Sequence, residues 1–437
     1  MRILLYCQHV LGMGHFFRSL EICKALSAHE ITLVTGGHPV DIPLPPHVRN
    51  EQLPPLMMDA DFSALRVVTP AGQSAVHEES SSGSTAVAIS SQPQNSETIK
   101  PETAAGNIRK NQSENAEHLL DQLKKQRALQ LQEIMQRTRP DILLIELFPF
   151  GRRQFSFELA PLLDAVKEGR YGSVKTVCSV RDILVEKADQ AKYEQRVINA
   201  LNQWFDAVFV HTDPAVVRLG ETFSRLRDIA PTVLDTGYVT PLPEKDAGNR
   251  LRNALDIKMD LPVIVASAGS GSVGFELLLA TVKASALFAR TTPHKLFVFT
   301  GPFMAHKEAT QIKTAAAHAA HISVERFTPH FADYLAMADS SISLAGYNTT
   351  MNLLAAGTYG FVLPFDQNRE QRMRSERLER LGALKLLETT DLVPQRLASL
   401  VSEAIAQKKT TADAPVDLHG AEKTALLLES LYAENRS

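Results

Sequence analysis

The chain is expected to be an α/β protein made of two doubly wound parallel sheets, each covered by helices. Three observations predict this. Short apolar runs of strand length alternate almost throughout with segments of helical period. Polar turns, several of them glycine-bearing, follow those runs directly, as they do where a parallel strand hands over to a helix. At 437 residues the chain is also too long for one hydrophobic core and suits two domains.

The first element is MRILLYCQHVLGMGHFFRSLEICKAL. Residues 2–8 read as a short buried strand, Gly12-Met13-Gly14-His15 as a glycine turn and residues 16–26 as a helix. Further strands are expected at 30–35, 141–146, 174–180, 207–211, 262–268, 295–300, 341–345 and 361–365, most of them separated by helical segments. Residues 69 to about 111 break the pattern. They are rich in Ser, Gln, Ala, Thr, Pro and Gly and carry almost no aromatic residue, so they cannot bury enough apolar surface to offset their ordering entropy. They read as a disordered insertion in the first domain, a dispensable loop rather than a lid. An amphipathic helix at 115–137 follows. The boundary is placed at Thr236-Gly237-Tyr238-Val239, ahead of the proline-bearing stretch Thr240-Pro241-Leu242-Pro243-Glu244-Lys245. The expected domains are 1–239 and 240–437.

Composition excludes several function classes. A net charge of −3 with no long Lys/Arg stripe gives no footprint for nucleic acid. Three cysteines, Cys7, Cys23 and Cys178, fit neither a metal site nor a disulfide framework and suit a reducing compartment. No apolar run approaches the roughly 20 residues of a membrane span, and the first strand is too short for a signal-peptide core. A cytoplasmic protein is expected, peripheral on the inner membrane face if its substrate is lipid-linked.

Candidate chemistry collects at strand ends. His15 stands where a strand meets a helix and faces the ligand crevice of a doubly wound sheet; on these residues alone it serves chemistry or merely caps the helix. Gly269-Ser270-Gly271-Ser272-Val273-Gly274 follows the strand at 262–268, and such a loop lets backbone N–H groups approach a phosphate. It lacks the lysine of a Walker loop. Gly346-Tyr347-Asn348-Thr349 is a turn ahead of a helix at 350–356 that Gly357 ends. Asn348, Thr349 and Thr350 are placed to cap that helix or to hold a diphosphate. The loop 366–371 leads into a helix at 372–381; Gln371 reads as a ligand contact or as a solvated helix face. In the first half, Arg152 and Arg153 follow the strand ending at Glu146, and Arg181-Asp182 follows the strand at 174–180. Arg181 and Asp182 read as a surface ion pair or, given their place at a crevice, as functional groups.

At these residues the chain resembles GT-B glycosyltransferases of the MurG-like type, family 28. The likeness lies in LGMGHFFR, DTGYV, FTPHFADYLAMADSSISLAGYNTTMNLLAAG and residues 364–377. More narrowly, ELFPFGRRQFSFEL, VCSVRDILVEK, VFVHTDP and LAGYNTTMNLLAAG look like a bacterial group of predicted glycosyltransferases related to MurG. It covers nearly the whole chain outside the insertion.

The resemblance implies two Rossmann-like domains facing across a cleft, with a nucleotide-sugar donor on the C-terminal one and a hydroxyl acceptor on the N-terminal one. It implies an inverting transfer from a UDP-sugar, a hexosamine or a hexose, with His15 as general base. Gly269, Ser270, Gly271 and Ser272, with Gly346, Asn348, Thr349 and Thr350, would hold the departing diphosphate without a metal or other cofactor. Phe327 and Thr328 would meet the base, and Glu370 and Gln371 the donor sugar. Gly12, Gly14, Arg18, Arg152, Arg181 and Asp182 would line the acceptor side, the acceptor being a lipid-linked or envelope glycan or a small metabolite. One departure stands out: the family's ribose-binding glutamate is Asn352 here, which cannot supply a charged acceptor. The MurG glycine loop is also not reproduced residue for residue. Two other readings follow from the same residues. GMGHFFR is similar to the GxGHxxR loop of PseG-type nucleotide-sugar hydrolases, where the histidine would activate water. Asn352 would suit a non-catalytic nucleotide-sugar-binding protein.

Overall fold

The structure is a computed structural model that describes residues 1–9, 14–40, 42–58, 65–67, 101–365, 369–411 and 415–435. Most of the expected insertion, Gly12 and the start of the 366–371 loop lie outside the described residues.

The first half supplies β1 (Arg2–Cys7), β2 (Glu30–Thr35), β3 (Val48–Gln52), the antiparallel hairpin β4 (Leu56–Met58) and β5 (Leu65–Val67), then β6 (Ile142–Glu146), β7 (Lys175–Arg181), β8 (Ala207–His211) and β9 (Thr232–Asp235). All but the hairpin form one parallel sheet in the order β3-β2-β1-β6-β7-β8-β9. Its helices are α1 (Gly14–Ala25), α2 (Pro101–Thr138), α3 (Ser156–Lys167) and α4 (Gln190–Trp204). β6 is buried at every position, which is why it reads as a continuous apolar run. One face of the sheet packs Leu143, Phe155, Leu159 and Val197 under α2–α4; the other packs Ile3, Phe16, Leu20 and Cys23 under α1.

The second half repeats the design. β10 (Val263–Ser267), β11 (Lys295–Phe299), β12 (Ile322–Glu325), β13 (Ser340–Leu344), β14 (Gly360–Leu363) and β15 (Leu384–Leu386) form a parallel sheet ordered β12-β11-β10-β13-β14-β15. Helices α5 (Ala247–Ala254), α6 (Phe275–Phe288), α7 (His306–Ala316), α8 (Phe331–Met337), α9 (Tyr347–Ala356), α10 (Arg369–Arg380) and α11 (Pro394–Ala406) accompany it. The final helix, α12 (Gly420–Glu434), crosses back: Ala421, Ala425 and Leu428 share a buried cluster with Phe16, Leu20 and Cys23 of α1. That apolar burial ties the end of the chain to the first sheet.

Three local expectations are corrected. α2 begins at Pro101, so the last residues of the expected insertion are helical. Proline suits a first helical turn because its missing N–H would have no partner there. α9 begins at Tyr347 with Gly346 as N-cap and no side-chain cap, so Asn348, Thr349 and Thr350 sit inside the first turn and do not cap the helix. α10 begins at Arg369, which puts Glu370 and Gln371 on a helix and not in a loop.

Candidate active site

Both strand orders reverse beside a central strand: β1 has β2 on one side and β6 on the other, and β10 has β11 and β13. The loops leaving such a pair diverge to opposite faces and open a crevice at the strands' carboxyl ends. His15 lies in the first turn of α1, after β1, and Glu146 ends β6 next door. In the second sheet the Gly269–Gly274 loop follows β10 and Gly346 follows β13. The two crevices face each other. A Cβ built on Gly14 would lie 2.8 Å from Asn348 Nδ2, so the start of α1 touches the start of α9 there.

His15 Nδ1 stands 2.7 Å from Glu146 Oε1. The same oxygen accepts from Arg18 Nη2. Arg18 Nη2 is also 3.1 Å from His15 Nδ1. Both cannot donate to each other, and the carboxylate decides the roles: Nδ1 carries the proton and donates it to Glu146, as Arg18 does. Nε2 is then left as the lone-pair nitrogen. Glu146 and Arg18 are buried, whereas the His15 side chain keeps 22% of its exposure and opens toward the cleft. Burial opposes ionisation of Glu146, but His15 and Arg18 outweigh it and hold the carboxyl well below the usual range. Burial pushes the His15 imidazole down to about 4; Glu146 pulls upward while Arg152 and Arg18 add to the lowering. The ring is therefore neutral at pH 7 and can accept a proton. Arg152 comes to this cluster on left-handed backbone (φ 59°).

Side chains then cross the cleft. The Tyr347 ring, first in α9, is approached by two guanidiniums, Arg18 at 5.5 Å and Arg374 at 5.1 Å from its centroid. Asp182 holds Arg374 in a buried two-point pair. Arg181 Nη2 donates to Glu370 Oε2 at 2.6 Å. Arg181 and Asp182 are thus not a surface ion pair with each other; each engages α10 of the other domain.

On the second sheet, Gly271 is held where only glycine fits: its φ is 88°, and a Cβ there would lie 2.4 Å from the Thr300 carbonyl oxygen. Gly269 N–H donates to Ser267 Oγ and Gly271 N–H to the Ala268 carbonyl, so those two groups serve the loop itself. This narrows the expectation that the whole loop offers donors; Gly269, Ser270, Ser272 and Val273 are its exposed residues, and of these only the two serines carry a hydroxyl. At α9 the N–H groups of Tyr347, Asn348 and Thr349 precede the first intrahelical bond, which runs from Thr350 N to the Gly346 carbonyl. Thr350 is fully buried. Asn352 Oδ1 accepts from Thr240 Oγ1 at 2.9 Å, a bond between α9 and the linker. Phe327 is 62% exposed just past β12, and Thr328 Oγ1 accepts from His330 N–H. Gln371 Oε1 accepts from Phe365 N–H, so it holds the chain that precedes α10.

The sequence reading missed the acid partner of His15, and with it Tyr347, Arg374 and Thr240. A signal for Glu146 existed: it is the one charged residue in the apolar run ILLIELF, and a fully buried carboxylate needs a partner. Among the described residues no group of three or more His, Cys, Asp or Glu is arranged to hold a metal ion.

Residues 268–426 match the model of the glycosyltransferase family 28 C-terminal domain. The UDP-N-acetylglucosamine–N-acetylmuramyl-(pentapeptide) pyrophosphoryl-undecaprenol N-acetylglucosamine transferase of Agrobacterium fabrum is 24% identical over 206 residues, 44% of this chain and 54% of that protein. The alignment thus spans about half the length of that curated relative. Among solved structures, MurG of Acinetobacter baumannii superposes with a TM-score of 0.53 at 13% identity, covering 98% of this chain and 99% of the other. The calicheamicin glycosyltransferase CalG4 gives 0.56 at 16% identity over 99% and 98%. UGT2 of Phytolacca americana gives 0.55 at 14% over 99% of each. Together with the two parallel sheets, these show the GT-B fold and a glycosyltransferase family 28 C-terminal domain over residues 268–426, in a chain that is similar to MurG.

Proposed function

We propose that the chain is an inverting glycosyltransferase that moves a hexosamine or hexose from a UDP-sugar to a hydroxyl acceptor, with His15 as general base. The observation that carries this reading is the His15–Glu146 pair at 2.7 Å, opening toward the start of α9. The acceptor oxygen bonds to the anomeric carbon as that carbon's bond to the diphosphate oxygen breaks. The hydroxyl proton passes to His15 Nε2, and UDP leaves with the bonding electron pair. Glu146 fixes the tautomer and stabilises the imidazolium as it forms. The first-turn N–H groups of α9 meet the diphosphate, where the helix field favours negative charge, so no metal is required. Ser270 and Ser272 flank it, Phe327 and Thr328 meet the base, and Glu370 and Gln371 the sugar.

The donor class follows the name of the Agrobacterium relative, a UDP-N-acetylglucosamine-dependent transferase acting on a pyrophosphoryl-undecaprenol acceptor. By the same analogy the acceptor here is a lipid-linked or cell-envelope glycan, and the enzyme works at the cytoplasmic face of the membrane. Among the described residues no helix is long and apolar enough to cross one.

A thermal-shift panel of UDP, UDP-GlcNAc, UDP-Glc, UDP-Gal, GDP-mannose and dTDP-sugars, with EDTA and then with magnesium, tests the donor. Each stabilising sugar nucleotide is then incubated without acceptor. Stabilisation by UDP compounds in EDTA with no release of free sugar supports transfer. Rapid release that His15→Ala abolishes makes the chain a hydrolase, and no stabilisation by any nucleotide refutes the reading.

A further inference from the structure

Two residues beyond Glu146 the chain enters the wall of a second concavity. Phe148, Pro149, Arg153 and Ser156, with Lys192, Arg196 and Trp204 of α4, line a groove of about 510 Å³ on the first domain. Its chemistry differs from the rest of the surface. Arg153, Lys192 and Arg196 all border it, and among the described residues none of the three has a carboxylate within ion-pair distance, although most other charged side chains of this domain do. Lys192 and Arg196 are one helical turn apart, so they project from the same side of α4. Arg196 rests on the Tyr193 ring at 5.5 Å, and its burial, with the like charge of Arg153 adding to it, holds it below its ordinary pKa. Three unpaired cations gathered in one groove repel each other until an anion joins them.

The apolar wall is an aromatic shelf. Trp204 is half-buried, stacks on Phe148 (centroids 6.3 Å apart, planes at 28°) and is fixed by its Nε1–H to Asp164 Oδ1 at 2.8 Å. An indole held this way offers a flat face to the C–H side of a sugar ring. Gln195, Asn199 and Gln203 form a second row at helical spacing; Gln195 donates to Asn199 and accepts from Arg225, and Gln203 donates to Asp164, which leaves the Asn199 Nδ2 donor and the Gln203 Oε1 acceptor suited to hydroxyls.

We propose that this groove seats an anionic saccharide, its phosphate or carboxylate held by Arg153, Lys192 and Arg196 and a sugar face laid on Trp204. It serves as the acceptor's extension beyond the hydroxyl that reaches His15; that last clause rests on the transferase reading above. The position supports it, because the loop that forms one wall starts at Glu146 and passes through Arg152, whose charge acts on His15.

Trp204 is the chain's only tryptophan, so its fluorescence reports this groove alone. The full chain is titrated with trigalacturonate, glucose 6-phosphate, neutral maltotriose and vesicles of equimolar phosphatidylcholine and phosphatidylglycerol. The expected result is a change in Trp204 emission with one or both anionic sugars at concentrations at least about tenfold below maltotriose. The two anions separate a carboxylate from a phosphate ligand. The double variant Arg153→Glu/Arg196→Glu weakens the response at least about tenfold, while its thermal shift with UDP stays that of the parent, showing that the fold is intact. Silence toward both anionic sugars, an equal response to maltotriose, or a response that survives the double variant overturns the proposal. A response to the vesicles alone also overturns it, in favour of membrane docking. A Trp204 response in a chain that UDP does not stabilise leaves the groove standing and removes the donor reading instead.

Discussion

Asp182 of the first domain grips Arg374 of the second through two bonds, 2.6 Å to Nε and 3.0 Å to Nη2, with both side chains at most 1% exposed. The pair adjoins Tyr347, whose ring both Arg374 and Arg18 approach, at 5.1 and 5.5 Å from its centroid. A series of contacts therefore runs from Glu146 through Arg18, Tyr347 and Arg374 to Asp182, crossing the cleft twice. Desolvating such a pair costs about as much as the attraction returns, so the single variants and the double variant should behave differently. Asp182→Ala leaves a buried guanidinium without its anion and is expected to cost about 3–5 kcal/mol. Asp182→Leu combined with Arg374→Met should recover most of the loss. Denaturant midpoints of the three proteins check this; a double variant as unstable as the single one would mean that the pair carries specific stabilising energy.

His15→Ala is expected to lower kcat by about 10²–10⁴-fold, the usual share of a general base, with donor KM nearly unchanged. Glu146→Gln keeps the shape but removes the charge and lets the amide select the other tautomer, so kcat again falls while UDP affinity holds. In the parent, kcat/KM should be flat from pH 6 to 8 and fall on the acid side as His15, whose pKa is held near 4, takes up a proton. Steady-state kinetics on the three proteins test the pairing. A large loss of UDP affinity with normal turnover would move His15 out of the base role.

The interior of both sheets was legible in the sequence, but their edges were not. β3, β9, β12 and β15 are the four outermost strands, and none was expected. They are three to five residues long, and β3, with VRNEQ, and β9 and β12, with no fully buried residue, lack the continuous apolar run that marks a strand covered on both faces. At the site, the glycine turn exposed His15 because loop and helix are adjacent in sequence. Its partner Glu146 is 131 residues away, and Asp182 meets Arg374 across 192. Nothing local encodes such pairings; the order of the strands creates them. Asn352 was legible as a departure from the family, but its bond to Thr240 was not.

That bond holds Asn352 to the linker, and Thr240 can donate equally to a carboxylate. Asn352→Glu should therefore keep the contact and add a charged acceptor. A charge-assisted bond to a ribose hydroxyl exceeds a neutral one by about 1 kcal/mol, so UDP should bind about fivefold tighter by calorimetry. An unchanged affinity would leave Asn352 as a linker residue only.

Histidines should set the response of stability to mild acid. His211 is fully buried, its ring nitrogens 2.7 Å from Ser179 Oγ and 2.8 Å from Thr236 Oγ1. Burial, with a further push from Arg18 against a pull from Glu146, brings its pKa down to about 3. His15 is down to about 4, and His9, His294 and His321 are also lowered by burial. The unfolded chain protonates its histidines near pH 6.5. Above that pH neither state binds these protons and stability is flat. As pH falls below 6.5 the unfolded chain takes them up and the folded one does not, so stability drops until the folded pKa values are passed. Each such group contributes at most about 1.4 kcal/mol per pH unit. His211→Gln, whose amide can still bond Ser179 and Thr236, should cost some stability at pH 7.5 but make the loss between pH 6.5 and 4.5 shallower by one group's share. Denaturant midpoints across that range measure the slope. If the variant's slope equals the parent's, His211 is already protonated in the folded protein and its two bonds are not those of a neutral ring.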